Sequence, residues 1–255
     1  MLPDKKIIAF DLDGTLAPSK SSMTQKMGDL LKLLLQQKIV VVISGGSFKQ
    51  FQTQFLSPFH NDDSITPIMN RLILLPTSGS QSYEYDPSKR EWQLTYKKIL
   101  PSDIKEKARK LLQKIIDSGL YNIPKKPKGD IIEDRETQLS FSALGQLAPI
   151  SEKEIWDPDQ KKRQKIKAEI EHKIPEATIR IGGTTTLDIL PKGFDKAVGL
   201  QILLDKMGLH KSDILFVGDA LFPGGNDHSV YEAGIETIAV KGPKDTELII
   251  KDWLD

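Results

Sequence analysis

Two acidic residues separated by a single leucine follow the first apolar run of the chain. This run, Ile7–Phe10, leads directly into Asp11-Leu12-Asp13-Gly14-Thr15. Two carboxylates this close repel each other, and a divalent cation relieves the repulsion by accepting oxygen ligands. The two carboxylates can also divide the chemistry between them, so that one attacks phosphorus while the other handles the proton of a leaving group. Gly14 and Thr15 permit a turn whose amide N–H groups can face a phosphate.

A second polar group, Ser44-Gly45-Gly46-Ser47, follows the β-branched run Ile39–Ile43 and precedes an amphipathic stretch. Hydroxyl and N–H groups at the start of a helix suit phosphate oxygens. Taken alone, this sequence is as typical of a capped helix after a flexible turn. The expectation that it binds phosphate therefore depends on its position at the end of a second buried strand.

Two further groups lie near the end of the chain. Lys196 lies near the start of a predicted helix, where a cation opposes the helix macrodipole, and its charge there would neutralise phosphate and aspartate. Asp219 follows an apolar run and offers another hard oxygen ligand. A Pro-Gly-Gly turn then returns Asn226 and Asp227 toward the same edge of the sheet. Four such groups in one predicted sheet indicate an active site, because ligands bind at the carboxyl ends of parallel strands.

The elements that hold these residues alternate between strand and helix at both ends of the chain. The predicted elements are strand 7–10, helix 24–37, strand 39–43, a helix from about 48, helix 194–207, strand 214–217, a helix from about 226, strand 236–240 and helix 246–253. This alternation implies right-handed crossovers and a parallel sheet. We therefore expect an α/β fold, with a Rossmann-like parallel-sheet core formed by residues 1–83 and 191–255.

The middle of the chain, residues 84–190, is predicted to be an inserted α+β domain because its strands and helices are segregated. Its predicted elements are a hairpin with strands 83–85 and 92–96, helix 104–116, strands 131–132 and 139–141, a charged helix 157–172, and a strand pair 177–181 and 184–190.

Composition limits the other function classes. The net charge of +1 provides no global field for nucleic acid or anionic membrane. The absence of cysteine excludes disulfides, thiolate metal sites and cysteine nucleophiles. No apolar run approaches membrane-spanning length, and the first residues lack the pattern of a signal peptide. We expect a cytoplasmic protein with a small phosphorylated substrate and neither a nucleic-acid nor a membrane partner.

The order Asp-x-Asp-Gly-Thr, hydroxyl-Gly-Gly-Ser, Lys, and Gly-Asp with a following Asn-Asp resembles the haloacid dehalogenase superfamily of phosphotransferases. The resemblance implies that Asp11 forms an aspartyl-phosphate and that Asp13 acts as general acid and then as base. It implies that Asp11, the main-chain carbonyl of Asp13, and Asp219 hold Mg²⁺. Ser44 would bind the phosphoryl group, with Ser47 the alternative because Gly45 and Gly46 leave the alignment ambiguous. The insertion resembles the type IIB cap of this superfamily.

A closer resemblance is to eukaryotic-type phosphomannomutases. It rests on the runs Gly218–Asp227, Gly193–Lys196 and Ile181–Asp188. It implies that Thr186 and Asp188 of the cap contact a sugar. It also implies that Arg135 belongs to a set of cap arginines that hold the distal phosphate of the substrate.

Two positions depart from the mutase pattern. Gln146 stands where those enzymes have a second arginine, and a third falls at about Lys153. Lysine cannot grip phosphate bidentately, whereas water attack on an aspartyl-phosphate needs no clamp in the cap. The sequence therefore favours a sugar-phosphate phosphatase. The alternative is a phosphomannomutase-type mutase that uses a sugar bisphosphate activator, and the third hypothesis is a non-catalytic binding module. The sequence is compatible with a homodimer, since cap surfaces can pair.

Overall fold

The structure is a computed structural model that describes residues 3–19, 21–60 and 62–255. The chain divides into two compact units. The core unit comprises the described residues up to Lys97 together with Lys196–Asp255, and the inserted unit comprises Lys98–Asp195.

The core unit contains seven strands and five α-helices among its described residues. They are β1 (Ile7–Asp11), α1 (Gln25–Leu35), β2 (Ile39–Ile43), α2 (Phe48–Gln54), β3 (Leu72–Leu75), β4 (Gln81–Asp86), β5 (Glu91–Lys97), α6 (Lys196–Met207), β10 (Ile214–Gly218), α7 (His228–Glu232), β11 (Glu236–Ala239) and α8 (Pro243–Leu254). The inserted unit contains α3 (Ser102–Asp117), β6 (Ile132–Asp134), β7 (Leu139–Ser142), α4 (Ile150–Trp156), α5 (Lys161–Glu171), β8 (Ala177–Gly182) and β9 (Thr186–Pro191).

The core sheet has the strand order β11-β10-β1-β2-β3-β4-β5, and its first five strands are parallel. Successive side chains of β1 point to opposite faces: Ile8 and Phe10 enter one apolar cluster, while Ile7 and Ala9 enter the other. Burial on both faces explains why the parallel strands are continuous apolar runs. The predicted α/β fold with a parallel sheet is confirmed, and β1, β2 and β10 end at the same edge.

The β4–β5 hairpin differs from its predicted location. The sequence predicts an insertion that begins at residue 84, but β4 pairs antiparallel with β3 and β5 completes the core sheet. Phe48 of the core stacks on Tyr83 with ring centroids 3.8 Å apart, and Trp92 packs edge-on against Phe48 at 6.5 Å. These contacts hold the hairpin in the core unit, so the inserted unit begins at Lys98 rather than at residue 84 and ends at Asp195 rather than at residue 190.

The inserted unit contains an antiparallel sheet of strand order β6-β7-β9-β8. Leu139, Phe141, Leu187 and Ile189 belong to the apolar cluster that also includes residues of α3 and α5. Side chains on the alternate positions form a polar face, which we define by Glu133, Ser140, Asp188 and Arg180, each paired with the next across the four strands. One face of this sheet therefore belongs to the core, and the other carries polar side chains.

Among the described helices, none combines the length and apolar character that a membrane span requires.

Candidate active site

Asp11 and Lys196 form a buried ion pair at the carboxyl end of β1. Asp11 is 1% exposed and Lys196 is 2% exposed. The Lys196 ammonium donates to Oδ1 of Asp11 and also to Oδ1 of Asp227, the latter at 2.6 Å. Lys196 is the first residue of α6, so the helix start aims its side chain at the sheet edge.

The charges of this cluster shift one another's pKa values. Burial raises the pKa of Asp11 well above its usual value; Lys196 opposes this shift, and Asp227 and Asp219 add to it. Burial alone would lower the pKa of Lys196, but the carboxylates of Asp11 and Asp227 reverse the effect and raise it. Lys196 is therefore charged at neutral pH, and it is the group that favours an ionised Asp11.

The loop after β10 folds back so that Asp227 contacts Lys196. Two hydrogen bonds join Ala220 and Asp227: Ala220 N donates to Oδ2 of Asp227 at 3.1 Å, and Asp227 N donates to the Ala220 carbonyl at 3.2 Å. A Cβ on Gly225 would lie 2.0 Å from the Ala220 carbonyl oxygen, so the turn needs glycine there. Asn226 lies half-buried in this loop, one residue before Asp227.

Asp219 lies next to the loop that follows β1. The Thr15 hydroxyl donates to Oδ1 of Asp219 at 3.5 Å. Gly14 has φ +86°, and a Cβ there would lie 2.4 Å from Oδ2 of Asp219, so both the backbone conformation and the close approach require glycine. Burial, assisted by the charge of Asp227, raises the pKa of Asp219 to about 6.

The carboxylates of Asp11, Asp219 and Asp227 fit a hard divalent cation. One oxygen from each lies within 4.8 Å of the others. Oδ2 of Asp11 is buried and has no hydrogen-bond partner among the described residues, and an orphaned buried oxygen is costly unless a ligand satisfies it. These hard oxygen donors are the type that Mg²⁺ prefers.

The carboxylate of Asp13 is not one of these three and bonds to side chains of α2 and of the loop after β2. Its Oδ1 accepts from Nε2 of Gln54 at 2.9 Å, and its Oδ2 accepts from the Ser44 hydroxyl at 3.4 Å. Its predicted contribution to the metal is the main-chain carbonyl, which stays a prediction. The side chains of Asp11 and Asp13 thus have different partners, as their different predicted roles require.

Ser44 and Ser47 differ in their local bonding. Ser47 is the N-cap of α2, and its hydroxyl accepts from Gln50 N at 3.4 Å. Ser44 is 2% exposed, and its hydroxyl accepts from Gly46 N at 3.1 Å while it donates to Asp13. Ser44 is thus the hydroxyl that contacts Asp13, with Gly45 following it in the turn, and the choice between Ser44 and Ser47 as the phosphate ligand stays a prediction.

A strained segment, Thr77-Ser78, forms hydrogen bonds to the Ser44–Gly46 loop. Thr77 and Ser78 have positive φ angles of 51° and 58°, which are rare for residues other than glycine and costly for a β-branched side chain. In this conformation Thr77 N donates to the Gly46 carbonyl and Ser78 N to the Ser44 carbonyl, both at 2.8 Å. The strain is therefore coupled to the position of the predicted phosphate loop.

The predicted sugar-contacting residues lie in the inserted unit. Thr186 and Asp188 are two residues apart on β9 and so share one face of its sheet. Asp188 is 6% exposed, and its Oδ1 accepts from the Ser140 hydroxyl at 2.8 Å. Arg135 follows β6 and donates to Oε2 of Glu133 through Nε at 2.9 Å and Nη2 at 2.6 Å.

The two departures from the mutase pattern contact each other. Lys153 is 1% exposed, and its ammonium donates to the main-chain carbonyl of Gln146 at 2.9 Å. The lysine at the third arginine position is thus bonded to the residue at the second.

Comparison with known proteins identifies the relatives of this arrangement. Residues 27–255 match the family model of eukaryotic phosphomannomutases. The chain belongs to this family.

Individual relatives agree with the assignment. A phosphomannomutase of Arabidopsis thaliana is 30% identical over 248 residues, which cover 94% of this chain and 93% of that protein. A truncated, IMP-bound IMP-nucleotidase of Plasmodium falciparum superimposes with a TM-score of 0.71 at 17% identity, covering 98% of this chain and 68% of that one. A haloacid dehalogenase-like hydrolase of Bacteroides thetaiotaomicron has a TM-score of 0.56 at 17% identity, covering 97% and 99%. The two structural matches show the fold that this phosphomannomutase family member shares with them.

The sequence alone did not predict two features of the site of this family member. Gln54 is 4% exposed and bonds Asp13 from a helix, but its sequence context is that of an ordinary amphipathic segment. The sequence predicts only a supporting role for Asp227, whereas the structure pairs it with Lys196 and places it in the acidic cluster. The sequence feature that could have indicated this role is the position of Gln54 in a predicted helix that directly follows the predicted phosphate loop.

Proposed function

We propose that this protein is a Mg²⁺-dependent phosphotransferase that forms an aspartyl-phosphate on Asp11 and moves a phosphoryl group within a hexose phosphate. The observation that carries the proposal is the bonding of Asp11. Its Oδ1 is neutralised by Lys196, while its buried Oδ2 has no protein partner among the described residues. A carboxylate prepared in this way suits attack on phosphorus next to a bound cation.

Asp13 is the proton carrier in each transfer. Asp11 first takes a phosphoryl group from a hexose bisphosphate: it attacks phosphorus, the bond between phosphorus and the sugar oxygen breaks, and Asp13 gives its proton to that oxygen. A hydroxyl of a bound hexose monophosphate then attacks the phosphorus of the aspartyl-phosphate, Asp13 takes the hydroxyl proton, and Asp11 is released. The resulting hexose bisphosphate turns over and gives its other phosphoryl group to Asp11, which leaves the isomeric monophosphate. Gln54 and Ser44 hold the Asp13 carboxylate for both transfers.

Charge at the phosphoryl group is balanced by the residues around Asp11. Lys196 stays protonated and neutralises Asp11 and the phosphoryl oxygens. Asp11 and Asp219 would hold Mg²⁺, with Asp227 beside them, and the bound cation would neutralise charge that develops on the phosphoryl oxygens. In the inserted unit we assign Arg135, Thr186 and Asp188 to the sugar and its distal phosphate.

Mutase activity is the first form of the proposal because the family model and the curated relatives are phosphomannomutases. Net hydrolysis, in which water takes the place of the sugar hydroxyl, is the second candidate. The observation that favours it is the pair of substitutions at Gln146 and Lys153, which removes one guanidinium, replaces another by an ammonium, and bonds that ammonium to a carbonyl. Hydrogen bonds to charged groups contribute about 1.5–3 kcal/mol each, so a weaker clamp would release an intermediate that must turn over and rebind.

Phosphorus NMR of mannose 1-phosphate with Mg²⁺ tests the proposal and separates its two forms. The mutase form predicts the 6-phosphate, formed only when a hexose 1,6-bisphosphate is present. The hydrolase form predicts inorganic phosphate without any activator. If neither the 6-phosphate nor inorganic phosphate forms at stoichiometric enzyme, the assignment to this sugar phosphate is overturned.

The chemistry at Asp11 is tested separately with the Asp11→Asn variant. It should fold as the wild type does and lose both turnover and labelling by the phosphoryl group. Asp103→Asn, at an exposed position in the inserted unit, is the matched control. Undiminished turnover in Asp11→Asn would refute the nucleophile assignment.

A further inference from the structure

A buried arginine of the inserted unit grips the turn that precedes the predicted sugar-contacting residues. Arg163 is 3% exposed and lies in the first turn of α5. Its Nη1 donates to the main-chain carbonyls of Gly182 (3.2 Å) and Gly183. Gly182 is the last residue of β8, Gly183 begins the turn that leads to β9, and Thr186 is the first residue of β9.

Asp157 fixes Arg163 in this orientation. Nε of Arg163 donates to Oδ2 of Asp157 at 2.8 Å, and Nη2 donates to the Asp157 carbonyl at 3.1 Å. The same carboxylate accepts the backbone N–H groups of Lys162 and Arg163 at 2.9 Å and 3.1 Å, so it also caps α5. Asp157 is 2% exposed, and a buried pair with this many bonds is held in one geometry.

The turn is held from its other side as well. Ala143 N donates to the Thr185 carbonyl at 3.1 Å, and the hydroxyls of Ser142 and Thr185 lie 3.3 Å apart. The two consecutive glycines that Arg163 bonds have more conformational freedom than any other residues. Without Arg163 the glycine half of the turn would lose its side-chain anchor.

We propose that Arg163, oriented by Asp157, is a positioning residue that fixes the Gly182–Thr185 turn and thereby sets the placement of Thr186 and Asp188 for sugar recognition. The inference rests on the proposed function, since it assigns these two residues to the sugar. Arginine is required because its planar guanidinium, with five N–H donors, bonds a carboxylate and three main-chain carbonyls at once. Arg163 does not touch the reacting phosphoryl group in this proposal.

Steady-state kinetics of Arg163→Met and Arg163→Lys, with mannose 1-phosphate and with p-nitrophenyl phosphate, provides the first test. A displaced recognition turn should lower kcat/KM for the sugar phosphate by about ten- to a hundred-fold, mainly through KM. Activity on p-nitrophenyl phosphate, which has no sugar hydroxyls, should stay within about two-fold, because a group that sets only recognition contributes nothing to that reaction. Arg163→Lys should recover part of the loss. Lys165→Met, at an exposed position of α5, is the matched control and should change neither substrate.

Equal losses on both substrates in a folded variant would overturn the proposal, as would an unchanged KM for the sugar phosphate. If Arg163→Met does not fold, Arg163→Lys and Asp157→Asn replace it as test variants. Both should raise the KM for the sugar phosphate.

Amide hydrogen exchange separates this inference from the proposed function. Exchange in the segment 182–186 should accelerate in Arg163→Met and stay unchanged in Lys165→Met. If the wild type shows no preference for the sugar phosphate but the exchange accelerates, the sugar assignment fails and the anchoring of the turn stands. Unchanged exchange overturns the anchoring whatever the substrate proves to be.

Discussion

Gln54 donates a hydrogen bond from Nε2 to Oδ1 of Asp13 at 2.9 Å. The orientation of the Gln54 amide is fixed because its Oε1 accepts from Nε2 of Gln50 at 3.0 Å. The backbone carbonyl of Gln54 also accepts from Met23 N at 2.7 Å, which ties this end of α2 to the segment before α1. The proposed acid and base is thus oriented by a helix that begins at the predicted phosphate loop.

Gln54→Leu should lower kcat by about ten- to a hundred-fold, because a hydrogen bond to a charged group contributes about 1.5–3 kcal/mol. KM should change little, since the bond orients Asp13 rather than the substrate. Steady-state kinetics with the best phosphomonoester is the measurement. Gln52→Leu, at an exposed position of the same helix, is the control; an equal effect in both variants would show that Gln54 has no specific role.

Lys196→Met should abolish most activity and also destabilise the fold. The variant leaves Asp11 and Asp227 buried without their cation, and removing one partner of a buried ion pair costs about 3–5 kcal/mol. Loss of a group that stabilises transition-state charge should lower kcat by about 10²–10³-fold. Chemical denaturation and kinetics measure the two effects.

The double variant Lys196→Met, Asp227→Asn separates stability from activity. Lys196→Met leaves two buried carboxylates without a cation. Neutralising one of them through Asp227→Asn should recover part of the free energy of unfolding without restoring turnover. Lys206→Met, on the same helix and paired with Glu84 at an exposed position, is the control and should have little effect. Recovery of turnover in the double variant would contradict the role of Lys196.

The stability of the metal-free protein should depend on the ionisation of Asp219. Its pKa is raised from 3.8 to about 6 by burial and by Asp227, so between roughly pH 4 and pH 6 the folded state binds more protons than the unfolded state. The free energy of unfolding contributed by this group therefore falls as pH rises through that window, by up to about 3 kcal/mol. Above pH 6 the metal-free Asp219→Asn variant should be the more stable protein.

Denaturation curves with a chelator, recorded from about pH 4 to pH 7, test this dependence. The gap between Asp219→Asn and the wild type should widen with pH, and Mg²⁺ at neutral pH should stabilise the wild type more than the variant. A gap that does not change with pH would contradict the raised pKa, and equal stabilisation by Mg²⁺ would contradict the assignment of Asp219 as a ligand.

Gly199→Ala should destabilise the protein although alanine favours helices. A Cβ at Gly199 would lie 2.8 Å from Cα of Gly79 and 2.9 Å from the Ser78 carbonyl oxygen, both backbone atoms that cannot turn away. Overpacking of this kind costs about 1–3 kcal/mol. Because α6 presents Lys196 and Ser78 holds the Ser44 carbonyl, kcat should fall together with the melting temperature.

Gly208→Ala is the comparison for this prediction. Gly208 has φ +64°, and a Cβ there would meet no atom within 4 Å, so alanine adds backbone strain without a steric clash. It should lower the melting temperature and leave kcat unchanged. A fall in kcat for Gly208→Ala equal to that for Gly199→Ala would refute the coupling between the strained segment and the site.

The core elements and the strand-end motifs could be predicted because their causes are local. Ile7–Phe10, Ile39–Ile43 and Ile214–Val217 are continuous apolar runs, which only a sheet covered on both faces can bury, and the structure places all three in parallel register. Gly14 and Asp219 follow two of these runs, so their meeting follows from the topology of a parallel sheet. Predicted helix limits differ by a few residues; Lys196 rather than Phe194 begins α6.

The hairpin of β4 and β5 could not be assigned to its unit from sequence. Its alternation of apolar and polar residues predicts a half-buried hairpin in either unit. Its place is decided by the pairing of Leu74 with Tyr83 and by the stacking of Tyr83 on Phe48. Both are contacts between separate elements, which no local pattern encodes.

The sequence by itself determined the α/β class, the family and the chemistry available at the strand ends, because burial and residue type fix these within short segments. Only the tertiary structure decided which groups meet. It paired Lys196 with Asp227 as well as Asp11, set Gln54 against Asp13, and placed the Arg163 guanidinium on the Gly182–Gly183 turn. The reason is that each of these bonds joins residues from different elements, and their geometry follows from how the loops and helices pack rather than from the residues themselves.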